Sequence, residues 1–80
     1  MKWCVYILEC ADGSFYTGIT SNIERRFEQH KNGLGAKYTR GRLPVKLLYF
    51  ESSTDRASAT RRENEIKKLS KSKKLSLISQ

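Results

Sequence analysis

The chain predicts an α+β fold: a three-stranded antiparallel sheet flanked by helices, in the order strand, strand, helix, strand, helix, helix. Three observations carry this. Residues 3–10 and 15–20 are strand-like segments joined across Asp12-Gly13, the pattern of a β-hairpin. Ser21 with Glu24 three residues on, and the stretch Ser52 to Asp55, are helix-start signals. Pro44 opens a third β run, Val45 to Phe50. At 80 residues the chain predicts a single domain, 1–80, with a thin core, because so short a chain buries only about 60–65% of its unfolded surface.

The first strand alternates, yet both of its faces are apolar: Trp3, Val5 and Ile7 on one, Cys4, Tyr6, Leu8 and Cys10 on the other. A strand of that kind sits in the centre of its sheet, covered above and below. The returning strand, Phe15 to Thr20, carries Thr and Gly and suits an edge. The first helix is expected from Ser21 to about Asn32, where Asn32-Gly33 ends it. At helical periodicity Ile23, Phe27 and His30 share one inward stripe about 60° wide. Arg26 falls on the border of that stripe and Arg25 points nearly the opposite way.

Residues 33–44 read as a loop with three glycines and no acid. Its Lys37, Tyr38, Arg40 and Arg42 suit a nucleic-acid contact, since bases stack on tyrosine and phosphates pair with Lys and Arg. The plainer alternative is a solvated connector with a packed tyrosine. The second helix is expected from Ser52–Asp55 to about Leu69, with Ala59, Ile66 and Leu69 inward. Glu63 and Glu65 lie on opposite borders of its buried face, and periodicity barely separates them. A short last helix starts at Ser70 or Ser72 and includes Leu75, Leu77 and Ile78.

The net charge is +8, from sixteen Lys and Arg against eight Asp and Glu. For a small chain this points to an anionic partner, nucleic acid before an acidic membrane. No apolar run approaches the roughly 18 residues needed to span a bilayer, and the basic C-terminal segment has too few large apolar residues for a strong interfacial helix. The opening MKWCVYILEC lacks a signal-peptide core and cleavage site, so a cytoplasmic location is expected. Cys4 and Cys10 on one extended strand would be about 20 Å apart, too far for a disulfide. They read as free thiols.

Cys4-Val5-Tyr6 and Tyr16-Thr17-Gly18 resemble the two name triplets of the GIY-YIG nuclease family. Arg26 stands where that family has its helical arginine, His30 at a position usually His or Tyr, and Glu63 in Arg62-Glu63-Asn64 at its metal-binding glutamate. The element order matches as well, and the resemblance covers essentially the whole chain, closest to small stand-alone members. Cysteine replaces the first glycine of the first triplet and threonine the isoleucine of the second, both at backbone-packing positions. The further asparagine of homing-type members has no clear counterpart.

The resemblance implies a metal-dependent DNA endonuclease, structure-selective or non-specific, with one divalent cation, Mg²⁺ or Mn²⁺, on Glu63. Branched or single-stranded DNA would be the substrate, with RNA not excluded and no membrane partner. Arg26 would offer donors to the phosphate as charge builds. Tyr6 is the first choice for general base and Tyr16 for orienting the water, with the roles exchangeable. His30 would hydrogen-bond the water or a tyrosine. A tyrosine base requires its pKa, about 10 unperturbed, to fall toward neutrality, and Arg26 or the metal would be the cause. The alternative function is a nucleic-acid-binding module with this fold and little activity. A plain two-residue turn at Asp12-Gly13 would send Tyr6 and Tyr16 to opposite faces. A shared site therefore requires an odd register, with a three-residue loop and a bulge at Gly13.

Overall fold

Because its two faces are both apolar, the first strand takes the middle of the sheet. In the computed structural model, which describes residues 2–80, β1 (Trp3–Glu9) lies between β2 (Phe15–Thr20) and β3 (Lys46–Ser53), antiparallel to each. Val5 and Ile7 are fully buried against Ala59 and Ile66 of α3 (Arg56–Lys67). Leu77 and Ile78 of α4 (Lys71–Ile78) pack around that cluster. Tyr6, Leu8 and Cys10 are buried on the opposite side with Val45, against Ile23 and Phe27 of α1 (Ile23–Lys31). Each face of β1 thus has its own small core, and α1 and α3 are held on opposite sides of one strand. Cys10 is buried and Cys4 half-buried, and both are free thiols.

The hairpin has the register that a shared tyrosine site requires. Tyr6 faces Gly18 and Leu8 faces Tyr16, so both tyrosines rise from the same side of the sheet. Ala11, Asp12 and Gly13 form the three-residue loop, closed by Cys10 N–H to Ser14 O at 2.8 Å and Gly13 N–H to Cys10 O at 2.9 Å. Gly13 has φ +83°, a left-handed conformation that a Cβ would oppose. On the other flank, Ile7 faces Tyr49 but Leu8 faces Leu47. Leu48 is therefore an extra residue in β3.

Several boundaries and one added helical turn differ from expectation. The cap of α1 is Asn22 rather than Ser21: its side chain accepts from Arg25 N–H at 3.1 Å, while Thr20 Oγ1 bonds the Asn22 backbone. Residues 33–44 contain one helical turn, α2 (Lys37–Arg40), where Ala36 O accepts from Thr39 and Arg40 N–H. β3 runs on to Ser53, because Trp3 to Val5 continue to pair with residues 51–53. Asp55 caps α3, which ends at Lys67 rather than near Leu69, and Ser70 caps α4. No helix among the described residues is long and apolar enough to cross a membrane.

Candidate active site

Four elements converge on the phenol of Tyr6. It rises from the central strand, 1% exposed, and its Oη lies 2.9 Å from His30 Nε2 on α1. The other imidazole nitrogen, Nδ1, lies 2.9 Å from Thr39 Oγ1, and that hydroxyl donates to Ala36 O at 2.9 Å. A hydroxyl has one proton to give. With it on Ala36 O, Nδ1–H donates to Thr39 and Nε2 is the lone pair that accepts from Tyr6. The chain of donors runs one way: Tyr6, His30, Thr39, Ala36 carbonyl. Every member is buried except the carbonyl's residue, which is half-buried.

Two glycines leave room for this arrangement. A Cβ on Gly18 would stand 2.6 Å from Tyr6 Oη and 3.1 Å from Tyr16 Cε2. Gly35 abuts the His30 ring so closely that a Cβ would overlap Nδ1. Glycine is needed at both positions for close approach rather than for backbone freedom. Thr39 and Gly35 were not legible as site residues. Both sit in a stretch that reads as a loop, and only the fold of α2 turns them toward His30.

Tyr16 packs beside the relay, its ring centroid 6.3 Å from that of Tyr6 and 5.4 Å from that of His30. Arg26, half-buried, bonds Gln29 Oε1 at 3.0 Å, whereas Arg25 is exposed. Burial also separates the two glutamates that periodicity left close. The Glu63 side chain is 17% exposed and meets Lys67 Nζ at 3.4 Å, while that of Glu65 is 65% exposed and pairs with Arg62.

Electrostatically, Tyr6, Tyr16, Arg26 and Glu63 form one group. Burial is the largest influence on Tyr6 and pushes its pKa above 10. Arg26 pulls down, and Tyr16 and Glu63 push up. This corrects the expectation that Arg26 brings the tyrosine toward neutrality: Arg26 acts in that direction, but desolvation outweighs it. His30 is held down at about 4, chiefly by burial and then by Arg26, so it is neutral at physiological pH.

That histidine makes a prediction. Between about pH 4 and 6.5 the unfolded chain takes up a proton that the folded chain refuses, so stability rises with pH across this window and is lost on acidification. The full loss is about 3 kcal/mol. Asp12 and Asp55, whose pKa values are lowered by hydrogen bonds from Ser14 and Ser58, contribute only below that range. His30 is the only histidine, so its imidazole resonances can be followed by NMR alongside denaturant midpoints. Titration near 4 from the Nδ1–H tautomer is the expected result. An imidazole that titrates near 6.5 would contradict the buried relay.

The basic loop is divided in its employment. Lys37 and Arg40 are exposed, with Arg40 Nε bonding Gly35 O at 3.3 Å. Arg42 is instead committed to holding the loop on the hairpin. It bonds Asp12 Oδ2 at 3.1 Å and Tyr38 O at 2.8 Å, and its guanidinium lies 3.9 Å from the Tyr38 ring centroid. Tyr38 also stacks on Tyr16, with centroids 6.0 Å apart. Its ring is thus engaged by two neighbours rather than standing free as a stacking platform.

Known proteins share this chain's sequence and fold. The profile of the GIY-YIG catalytic domain matches residues 2–76. A UPF0213 protein of Clostridium perfringens is 59% identical over 75 residues, covering 94% of this chain and 81% of the relative. One from Natronomonas pharaonis is 53% identical, over 92% of this chain and 87% of its own. The solution NMR structure of a UPF0213 protein from Bacillus halodurans superposes with a TM-score of 0.63 at 49% identity, covering 99% of this chain and 84% of that one. A second NMR structure, from E. faecalis, gives 0.64 at 41% identity, covering 99% and 85%.

Proposed function

Because the chain belongs to the GIY-YIG family, we propose that it is a divalent-metal-dependent endonuclease hydrolysing phosphodiester bonds in DNA. The observation that carries this reading is the convergence at Tyr6 Oη. A directed proton acceptor lies behind it at 2.9 Å, and Tyr16, Arg26 and Glu63 all act on its charge.

Tyr6 sits on the buried floor of the site, and Tyr16, Arg26 and Glu63, each partly exposed, form its rim. A phosphate at that rim meets the Arg26 guanidinium, whose fork of donors neutralises charge gathering on the phosphoryl oxygens. Water attacks phosphorus as Tyr6 Oη takes its proton and passes its own to His30 Nε2. With burial opposing both the tyrosinate and the imidazolium, this transfer occurs in concert with attack rather than in the resting protein. Thr39 keeps the accepting lone pair of His30 aimed at Tyr6. Tyr16 orients the water.

Glu63 is the residue that would hold the metal. A single hard carboxylate fits Mg²⁺ or Mn²⁺, which keep several waters and complete their shell with substrate phosphate. Bound there, the cation would polarise the phosphate and stabilise the leaving 3′ oxygen. The alternative, a binding module, draws on the Glu63–Lys67 ion pair, which already engages that lone carboxylate.

The test is incubation of purified protein with branched, single-stranded and duplex DNA in Mg²⁺ or Mn²⁺ and then in chelator. Metal-dependent cutting is expected, and binding without cutting of any substrate would favour the module. Binding itself should weaken steeply as salt rises, with little discrimination among duplex sequences. Lys37, Arg40 and the basic 61–74 segment offer phosphate contacts and few base-reading ones. Salt-insensitive, sequence-selective binding would overturn that expectation.

A further inference from the structure

Beside the tyrosine cluster lies a pocket of about 230 Å³ lined by Phe15, Tyr16 and Thr17 of β2, Tyr38, Lys67 of α3 and Lys74 of α4. Phe15 and Tyr16, the edge of the already engaged Tyr38, and two ammonium groups surround a volume suited to one nucleobase with its phosphate. Bases pack on aromatic side chains whatever their identity, and lysines neutralise the backbone. The pocket adjoins the chemistry at two points. Tyr16 belongs to both, and Lys67 Nζ lies 3.4 Å from Glu63 Oε2.

The pocket's aromatic wall is set in advance. Tyr38 is stacked on Tyr16, and Arg42, anchored on Asp12, lies over its ring 3.9 Å from the centroid. Lys71 lies 5.0 Å from the Phe15 ring centroid and bonds Gly13 O at 2.9 Å, tying α4 to the hairpin. The recess is shallow and open to solvent, and a base held in a continuous stack cannot turn its face onto these side chains. The nucleotide that enters must already be unstacked, or must leave the duplex at a cost of a few kcal/mol.

Resting on the nuclease reading above, we propose that this pocket seats one unpaired nucleotide next to the scissile phosphate, with Lys67 and Lys74 on its backbone. The enzyme then selects single strands, flaps and junctions over continuous duplex. Lys67 also touches Glu63, so Lys74 is the cleaner probe, and exposed Lys73 beside it is the control of equal charge.

The experiment is binding in chelator, where nothing is cut, using a single-stranded oligonucleotide with one 2-aminopurine and the matched duplex. Lys74→Ala should weaken single-strand binding at least about fivefold more than Lys73→Ala, since it removes a directed phosphate contact as well as a charge. Duplex binding should fall equally for both variants. In the wild type the 2-aminopurine emission should be quenched on single-strand binding, and Lys74→Ala should relieve that quenching at saturating protein. Equal losses for the two lysines, or emission unchanged on binding, would overturn the proposal. Cleavage is scored separately. Cutting without Lys74-dependent single-strand binding defeats the pocket and leaves the nuclease, whereas selective binding without cutting defeats the nuclease and leaves the pocket as a binding site.

Discussion

Glu63→Ala should abolish cleavage while leaving folding and DNA binding nearly intact. The carboxylate is mostly covered, and among the described residues it pairs only with Lys67, at 3.4 Å. Half-exposed as that lysine is, the pair is worth about 0–1 kcal/mol, so its loss will not unfold the chain. Removing a negative charge from a basic surface should hold or tighten DNA binding. Glu65→Ala is the control: on the same helix, 65% exposed and paired with Arg62, it should be nearly silent. Arg26→Ala should lose most activity, about 2–4 kcal/mol if its guanidinium is a fixed donor to the developing charge. Exposed Arg25 should cost a fraction of that, through weaker general attraction. Single-turnover cleavage by the four variants, with binding measured in chelator, decides the matter. Comparable losses at Glu65 and Arg25 would sink the assignment.

How far this site could be read from sequence depends on which interaction placed each residue. Positions fixed by local periodicity were legible. The double-sided apolar pattern put β1 in the centre, and helical phase chose Arg26 over Arg25 and turned His30 inward. The hairpin register followed from requiring two tyrosines on one face, and Gly13 at φ +83° supplies it. Non-local contacts were not legible. Glu63 and Glu65 are nearly equivalent in phase, and only packing of α3 against the sheet separates 17% from 65% exposure. Thr39 and Gly35 gain their meaning from contact with His30 across a stretch whose composition reads as connector. The Tyr6 pKa was misjudged for a related reason. Sequence shows a nearby arginine but not the depth of burial that outweighs it.

The relay behind Tyr6 leads to the second large effect. Tyr6→Phe removes Oη and leaves the ring, so packing in the small core with Leu8 and Val45 is kept. Buried Nε2 of His30 loses its donor, a cost of about 1–3 kcal/mol in stability. Cleavage should fall about 10²- to 10⁴-fold, the range for loss of a positioned general base. His30→Gln, which lacks an imidazole lone pair to take the proton, should fall by a similar factor. If the two act as one unit, the double variant will be little worse than the worse single one. Thr39→Val is the subtler probe. It leaves both reacting groups in place but orphans Nδ1–H, so the proton should shift to Nε2 in a fraction of molecules. Activity should drop less than for Tyr6→Phe, and the drop should be accompanied by a change in the His30 tautomer seen by NMR. Tyr16→Phe, if that hydroxyl only orients water, should fall between Thr39→Val and Tyr6→Phe. A Tyr16→Phe loss exceeding that of Tyr6→Phe would exchange the roles of the two tyrosines. Fully additive losses at Tyr6 and His30 would dissolve the relay, leaving two independent residues that happen to lie 2.9 Å apart.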